Sequence, residues 1–313
     1  MKHLTDDHAL RALAICCVVL IHILSSIQPS PFVEGSKFQT LAVTLDQLSR
    51  ISVPLFVALS GFALQQKYGT GVVSWPTFWW KRLRRVLPGY LLWSVIFTLT
   101  FLLVPAWRSS QLQPGFLLQL LFGRADYHLY FVPMIVQFYL LFPLLRLFHT
   151  KAPRLLLLGS IVGQVMWYWV FSYQSHPVVV SEIFINDNEQ YIWSMNWVWF
   201  FVLGMNLAQI NQWLKRRTVS GVFLLVIACL AGIWGAVEAA HAINNGADPL
   251  IALRFTRYPV LLYATTAIVA LTWWTTYCRW SSTLSKWLSR YSYSIYLSHT
   301  LWLRLVFSIL YRQ

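Results

Sequence analysis

Arg11 and His22 lie eleven residues apart in the first long apolar stretch of the chain, RALAICCVVLIH. At about 100° per residue, eleven steps close to within roughly 20° of three whole turns, so both side chains share one face of a helix. Along the axis they are about 16 Å apart, at roughly 1.5 Å per residue. Ionisable groups at membrane depth are costly and by default mark functional positions. A guanidinium keeps its charge at any working pH, whereas an imidazole gains and loses a proton near neutrality. The pair reads as one wall of a polar pathway, with a fixed cation near one end and a titratable base deeper in.

The elements that must hold this pair follow from composition. The 313 residues are 58% hydrophobic, 17% aromatic and only 11% charged, with a mean hydropathy of +0.56. This excludes an ordinary soluble domain. A membrane span needs about 20 mostly apolar residues, and candidates fall near 9–28, 48–65, 86–106, 128–148, 155–172, 192–210, 219–237, 258–277 and 291–311. A shorter apolar piece, 115–123, reads as a half-helix or interfacial segment. No internal repeat is visible, so 1–313 is expected to form a single domain. The fold class is all-α: a polytopic integral membrane bundle of about nine or ten transmembrane helices. Asp6 and Asp7, with no small-residue cleavage site before Gln28, predict a retained first span and not a cleaved leader.

Basic residues set the expected orientation. Lys67, Lys81, Arg82, Arg84 and Arg85 follow the second span, Lys151 and Arg154 the fourth, Lys215, Arg216 and Arg217 the sixth, and Arg279, Lys286 and Arg290 the eighth. The positive-inside rule makes these links cytoplasmic, with the N-terminus inside. The alternate links carry Glu34, Asp46, Asp126, Glu182, Asp187, Glu189, Glu238 and Asp248. The net charge of +14 is then topological and calls for no nucleic-acid partner. Cys16, Cys17, Cys229 and Cys278 lack ligand-type spacing, so reduced thiols and no metal site are expected.

Six blocks in register resemble the membrane acyltransferase-3 family. They are RALAICCVVLIH (Arg11 to His22), RISVPLFVALSGFAL (Arg50 to Leu64), FWWKRLRRVLPGYLLWS (Phe78 to Ser94), YHLYFVPMIVQFYLLFPLL (Tyr127 to Leu145), FFVLGMNL (Phe200 to Leu207) and SRYSYSIYLSHTL (Ser289 to Leu301). The Val-Pro before Leu-Phe in the second block is similar to the polysaccharide and glycolipid O-acetyltransferase branch. The resemblance implies acyl-CoA, most often acetyl-CoA, as donor. It assigns Arg11, Arg82 and Arg85 to donor binding, with a carbohydrate or glycolipid as acceptor. Family members have ten spans and a further one after the block containing His299. Here the count is nine with the C-terminus outside, unless the 115–123 piece changes it.

The residues support such chemistry. Acyl transfer from a thioester to a hydroxyl needs a base for the hydroxyl proton, a role suited to His22. Arg11 would orient anionic groups of the donor, and Arg82 and Arg85, three apart on one helix face, could clamp phosphate. His128, beside Arg124, Asp126 and Tyr127, is a candidate for orienting a sugar. Ser60 is a candidate polar lining residue, or with Gly61 a site of close helix approach. His299, beside Tyr296 and Ser298, is expected to make a structural hydrogen bond. The acidic 182–189 residues read as solvated loop charges. Arg254 and Arg257 are basic on the outer side, against the charge rule, and could meet an anionic acceptor. The rival reading is an exporter of a glycan or lipid-linked sugar, with Arg11 and His22 lining its path. A structural membrane subunit would leave the in-phase pair unexplained. Membrane lipids are the expected surroundings, and an oligomer remains open.

Overall fold

Why helices form here follows from what surrounds them. A segment in hydrocarbon must satisfy its backbone N–H and C=O groups internally, which a helix does without help. The computed structural model describes residues 7–28, 30–33, 36–104, 107, 116–173, 190–275 and 282–311, and no strand occurs among them. In chain order the helices are α1 (Asp7–Ser26), α2 (Gln39–Ser49), α3 (Ser52–Tyr68), α4 (Trp75–Leu103), α5 (Phe116–Phe122), α6 (Phe131–Lys151), α7 (Pro153–Tyr168), α8 (Val198–Lys215), α9 (Thr218–Asn244), α10 (Pro249–Ala252), α11 (Tyr258–Trp274) and α12 (Thr283–Tyr311). Glu34, Glu182, Asp187, Glu189, Cys278 and Arg279 lie outside the described residues.

Local chemistry sets the helix ends. Proline opens α4, α7, α10 and α11 within the first turn, where its missing N–H costs no hydrogen bond. Asp248 caps α10 by accepting the Leu250 N–H at 2.8 Å. Pro54 accounts for the break between α2 and α3, because its ring clashes with the carbonyl four residues back, that of Arg50. Between α5 and α6, Gly123 adopts φ 67°, and a Cβ there would sit 2.7 Å from the Tyr130 Cα.

Among the described residues, six helical stretches are long and apolar enough to cross a membrane: Asp7–Ser26, Gln39–Tyr68 (α2 with α3), Trp75–Leu103, Phe131–Lys151, Pro153–Phe171 and Val219–Asn244. Tyr258–Trp274 is apolar but shorter. The segments near 192–210 and 291–311 are helical, as α8 and α12, but polar residues dilute their apolar character. α8 buries Asn206 and Asn211, and α12 buries Ser289, Ser292, His299 and Thr300 while exposing Trp302, Ile309 and Leu310. A helix that turns polar groups to protein and apolar ones outward suits a lipid-facing position. Two boundaries also move. α4 begins at Trp75, so the basic run is helical and not a link, and α2 carries the second span back to Gln39.

The chain divides into two compact units, Met1–Phe62 with Leu203–Gln313, and Ala63–Val202. In the first, α1 runs parallel to α12. His8 Nδ1 meets Ser289 Oγ at 3.0 Å, the rings of His22 and His299 are in contact, and the Gln28 N–H donates to the Tyr311 hydroxyl at 3.0 Å. α9 and α11 form an antiparallel hairpin, with Gly221 against Trp273 and Gly235 against Pro259. α3 and α8 approach closely at Gly204, where a Cβ would overlap the Ala58 carbonyl. Lipid offers no hydrophobic drive between helices, so such small-residue contacts carry the packing.

A buried polar network ties α2 to α9 and to the segment before α11. Arg50 grips Asp46 through Nε to Oδ2 at 2.9 Å and Nη2 to Oδ1 at 2.8 Å. Gln47 donates to Asp46 Oδ2 at 3.0 Å and accepts from Arg257 Nη1 at 2.8 Å. Arg257 also reaches the Gly235 carbonyl and Glu238, each at 3.2 Å. Every buried charge in it has an opposite partner, as the cost of burial demands.

The second unit centres on aromatic rings. Phe138 stacks on Phe201 at 4.4 Å and 4°, and Phe78 stacks on Phe142 at 5.6 Å. Tyr68 and Trp75 meet Phe78 edge-on at 5.0 and 5.7 Å. Arg146 fastens the link into α4, donating to the Gly71 carbonyl at 2.6 Å with its guanidinium 5.6 Å over Trp75.

Two outcomes test this packing. Gly204→Ala presses a methyl into a backbone carbonyl that cannot rotate away, and should lower stability by about 1–3 kcal/mol, read as a lower melting temperature in detergent. A parallel α1 and α12 predict that cysteines at Asp7 and Tyr311, in a background without native thiols, react with an impermeant maleimide from opposite membrane faces. Labelling from one face would contradict it.

Candidate functional site

α1 is continuous from Asp7 to Ser26, so the helical phase expected for Arg11 and His22 holds throughout. Its buried face is Ala9, Leu10, Ala12, Ala14, Ile15, Val18, Ile21 and Leu24. Arg11 and His22 are both half-buried. Asp7 sits in the first turn, where its charge suits the positive helix end. It accepts from Arg11 Nε at 3.4 Å, and the two side chains are 40% and 26% exposed. The Arg11 guanidinium thus stays partly open beyond its local partner.

His22 lies against His299 of α12, with ring centroids 4.9 Å apart and planes tilted by 42°. His299 is buried, 5% exposed. Its Nδ1 is 2.8 Å from the Tyr296 carbonyl and 3.2 Å from that of Ile295. Carbonyls only accept, so this nitrogen carries the hydrogen. The expected structural hydrogen bond of His299 is therefore present, and its ring also packs on the candidate base. Ser60, half-buried in α3, donates its hydroxyl to the Phe56 carbonyl at 2.8 Å, which leaves its oxygen able to accept.

In the second unit, α4 carries Arg82 and Arg85 one turn apart. The Arg82 guanidinium lies 5.3 Å over the Tyr68 ring and 5.8 Å over Phe78. Its Nε is buried with no hydrogen-bond partner among the described residues. Arg85, like Lys81 and Arg84, is exposed. Stacking on aromatic faces orients a guanidinium without consuming its charge, which leaves the outer N–H groups for an anion. Near the start of the same helix, a cavity of about 550 Å³ is lined by Trp75, Pro143, Leu144, Arg146, Leu147 and Thr150.

The turn between α5 and α6 places Asp126 and His128 together. His128 Nδ1 lies 3.2 Å from Asp126 Oδ2, with side chains 2% and 0% exposed. Asp126 Oδ1 accepts the Tyr127 N–H at 2.9 Å, and Phe97 meets the His128 ring edge-on at 5.5 Å. This is a carboxylate-oriented imidazole held inside the unit. Arg124, from the same cluster, lies 4.8 Å over Phe122.

Arg257, one of the two outer basic residues, is 4% exposed and satisfied by Glu238, Gln47 and Gly235. Sequence reasoning missed Asp7 as the partner of Arg11, although an acid four residues ahead on one helix face was a readable signal. It had no means of pairing His22 with His299, because their contact depends on how α1 and α12 dock. Among the described residues, no three His, Cys, Asp or Glu side chains converge as metal ligands would.

The sequence profile of the acyltransferase-3 family, described as an acyltransferase domain, matches residues 8–313. No curated protein and no solved structure matches the chain.

Proposed function

The chain belongs to the acyltransferase-3 family, and from that premise we propose that it is an integral membrane O-acyltransferase acting from acyl-CoA onto a carbohydrate or glycolipid hydroxyl. Acetyl is the group favoured, and the protein lies in a cytoplasmic membrane with its N-terminus and donor side in the cytoplasm and the acceptor beyond the outer face. Among the described residues, α8, α11 and α12 join the six helical stretches that are both long and apolar enough as spans, giving nine crossings. The observation that carries the reading is the pair of ionisable groups in phase on α1, one of which is an imidazole held against a second imidazole.

In this mechanism His22 takes the proton from the acceptor hydroxyl as its oxygen attacks the thioester carbonyl. The carbon–oxygen bond forms, the carbon–sulfur bond breaks, and the proton passes from the imidazolium to the departing thiolate. Histidine suits both steps, because its two protonation states are both accessible near neutral pH. Arg11, about 16 Å from His22 along α1, orients anionic groups of the donor. Arg82, braced on Tyr68 and Phe78, and exposed Arg85 hold donor phosphates. Asp126 and His128 contact the acceptor, an assignment supported by an oriented imidazole beside an aromatic ring. Ser60 lends a hydroxyl oxygen to the same acceptor.

Purified protein in lipid, given labelled acetyl-CoA and candidate glycans and read by mass spectrometry, tests this. His22→Ala should lower transfer by about 10²–10⁴-fold, with folding and membrane insertion intact. Wild-type activity in a folded His22→Ala protein would refute the base assignment. Arg82→Ala should weaken donor binding by about tenfold, equivalent to about 1.4 kcal/mol, with the acceptor KM unchanged. An unchanged donor KM would remove Arg82 from the donor site.

A further inference from the structure

We propose that His299 is a positioning residue for His22, a ring that fixes the orientation of the catalytic imidazole by packing against it. This rests on the reading of His22 as general base. Three observations support it. The two rings are 4.9 Å apart at a 42° tilt, which is direct packing between α1 and α12. His299 cannot turn freely, since its Nδ1–H is committed to the Tyr296 carbonyl at 2.8 Å, shared with that of Ile295 at 3.2 Å. The α12 side is also buried, with Tyr296 8%, Leu297 2%, His299 5% and Thr300 1% exposed.

The commitment of Nδ1 has a chemical consequence. A neutral imidazole has one N–H and one lone pair. With the hydrogen held at Nδ1 by backbone carbonyls, Nε2 of His299 is the lone-pair nitrogen and the one that can accept. His22 therefore packs against a ring of fixed orientation and fixed tautomer, supplied by a helix other than its own. A ring anchored to its own backbone is a fixed wall for the imidazole packed on it, and loss of that anchor leaves the functional atom present but misaligned. Misplacing a reacting group by about 1 Å can cost 10²-fold in rate. The parallel seam between α1 and α12 keeps the rings in register, anchored by His8 to Ser289 at one end and Gln28 to Tyr311 at the other.

The test replaces the ring in two ways and separates rate from binding. His299→Phe keeps the ring's packing and removes its nitrogens, and His299→Gln keeps polar reach with less bulk. In the labelled-acetyl assay, His299→Phe should lower kcat by about 10²-fold with the KM of donor and acceptor each within about twofold, and His299→Gln should recover part of that loss. A folded His299→Phe protein with wild-type kcat would overturn the proposal. So would a KM rise that accounts for the whole loss, equal losses in both variants, or failure of both variants to fold, which would make His299 a structural residue first. His22→Ala in the same assay separates the two claims. If His22→Ala is inactive while His299→Phe is normal, the base reading stands and this one falls. If folded His22→Ala is active, the base reading falls with it.

Discussion

Charge inside hydrocarbon must be met by protein, and the first unit is arranged around that requirement. α1 brings a guanidinium and an imidazole to membrane depth, and α12 turns Ser289, Ser292, His299 and Thr300 inward to receive that helix while its apolar residues face out. The parallel seam between them makes an ionisable pair tolerable in a helix apolar enough to cross a membrane. The cost of an ionisable residue in the bilayer falls when it faces a bundle interior with partners. Once the seam is set, the rotation of α1 is fixed, and with it the face on which Arg11 and His22 both lie.

The same unit handles its other charges differently. Arg50, Asp46, Gln47, Arg257 and Glu238 close on one another, with each strong donor meeting an acceptor at 3.2 Å or less in the links that join them. Such a network resists change, because removing one partner strands another in a buried place. Arg82 is managed in a third way, by stacking on Tyr68 and Phe78 instead of pairing with an acid. A cation neutralised by a carboxylate has little left for a ligand, whereas one lying on aromatic faces keeps its charge. That contrast separates Arg50 and Arg257 from Arg82, while Arg11 stands between them, with Asp7 at 3.4 Å and 26% of its side chain exposed.

Much of this was legible in the residues. The helical phase of Arg11 and His22, the all-helical class and the short 116–122 helix all follow from apolar runs and period, and the structure has each. Helix starts were less legible. The run from Trp75 to Arg85 reads as a charged link by composition, yet Ser74 and Pro76 are a good helix opening and nothing in it breaks a helix. Burial of Asp126 and His128 was hidden because sequence places them next to a span end, and only the turn at Gly123 folds them inward. His299 was visible as a histidine at membrane depth, but its neighbour lies 277 positions earlier, and no local rule connects them.

The central claim is that α1 presents His22 to the reacting atoms and not to lipid. An experimental structure in lipid with a non-hydrolysable acyl-CoA analogue tests it most directly. The account predicts the His22 ring beside the thioester surrogate, with room for a hydroxyl within about 3–3.5 Å of its accepting nitrogen. An analogue bound with His22 turned to hydrocarbon, or walled off from the surrogate by apolar side chains, would contradict it.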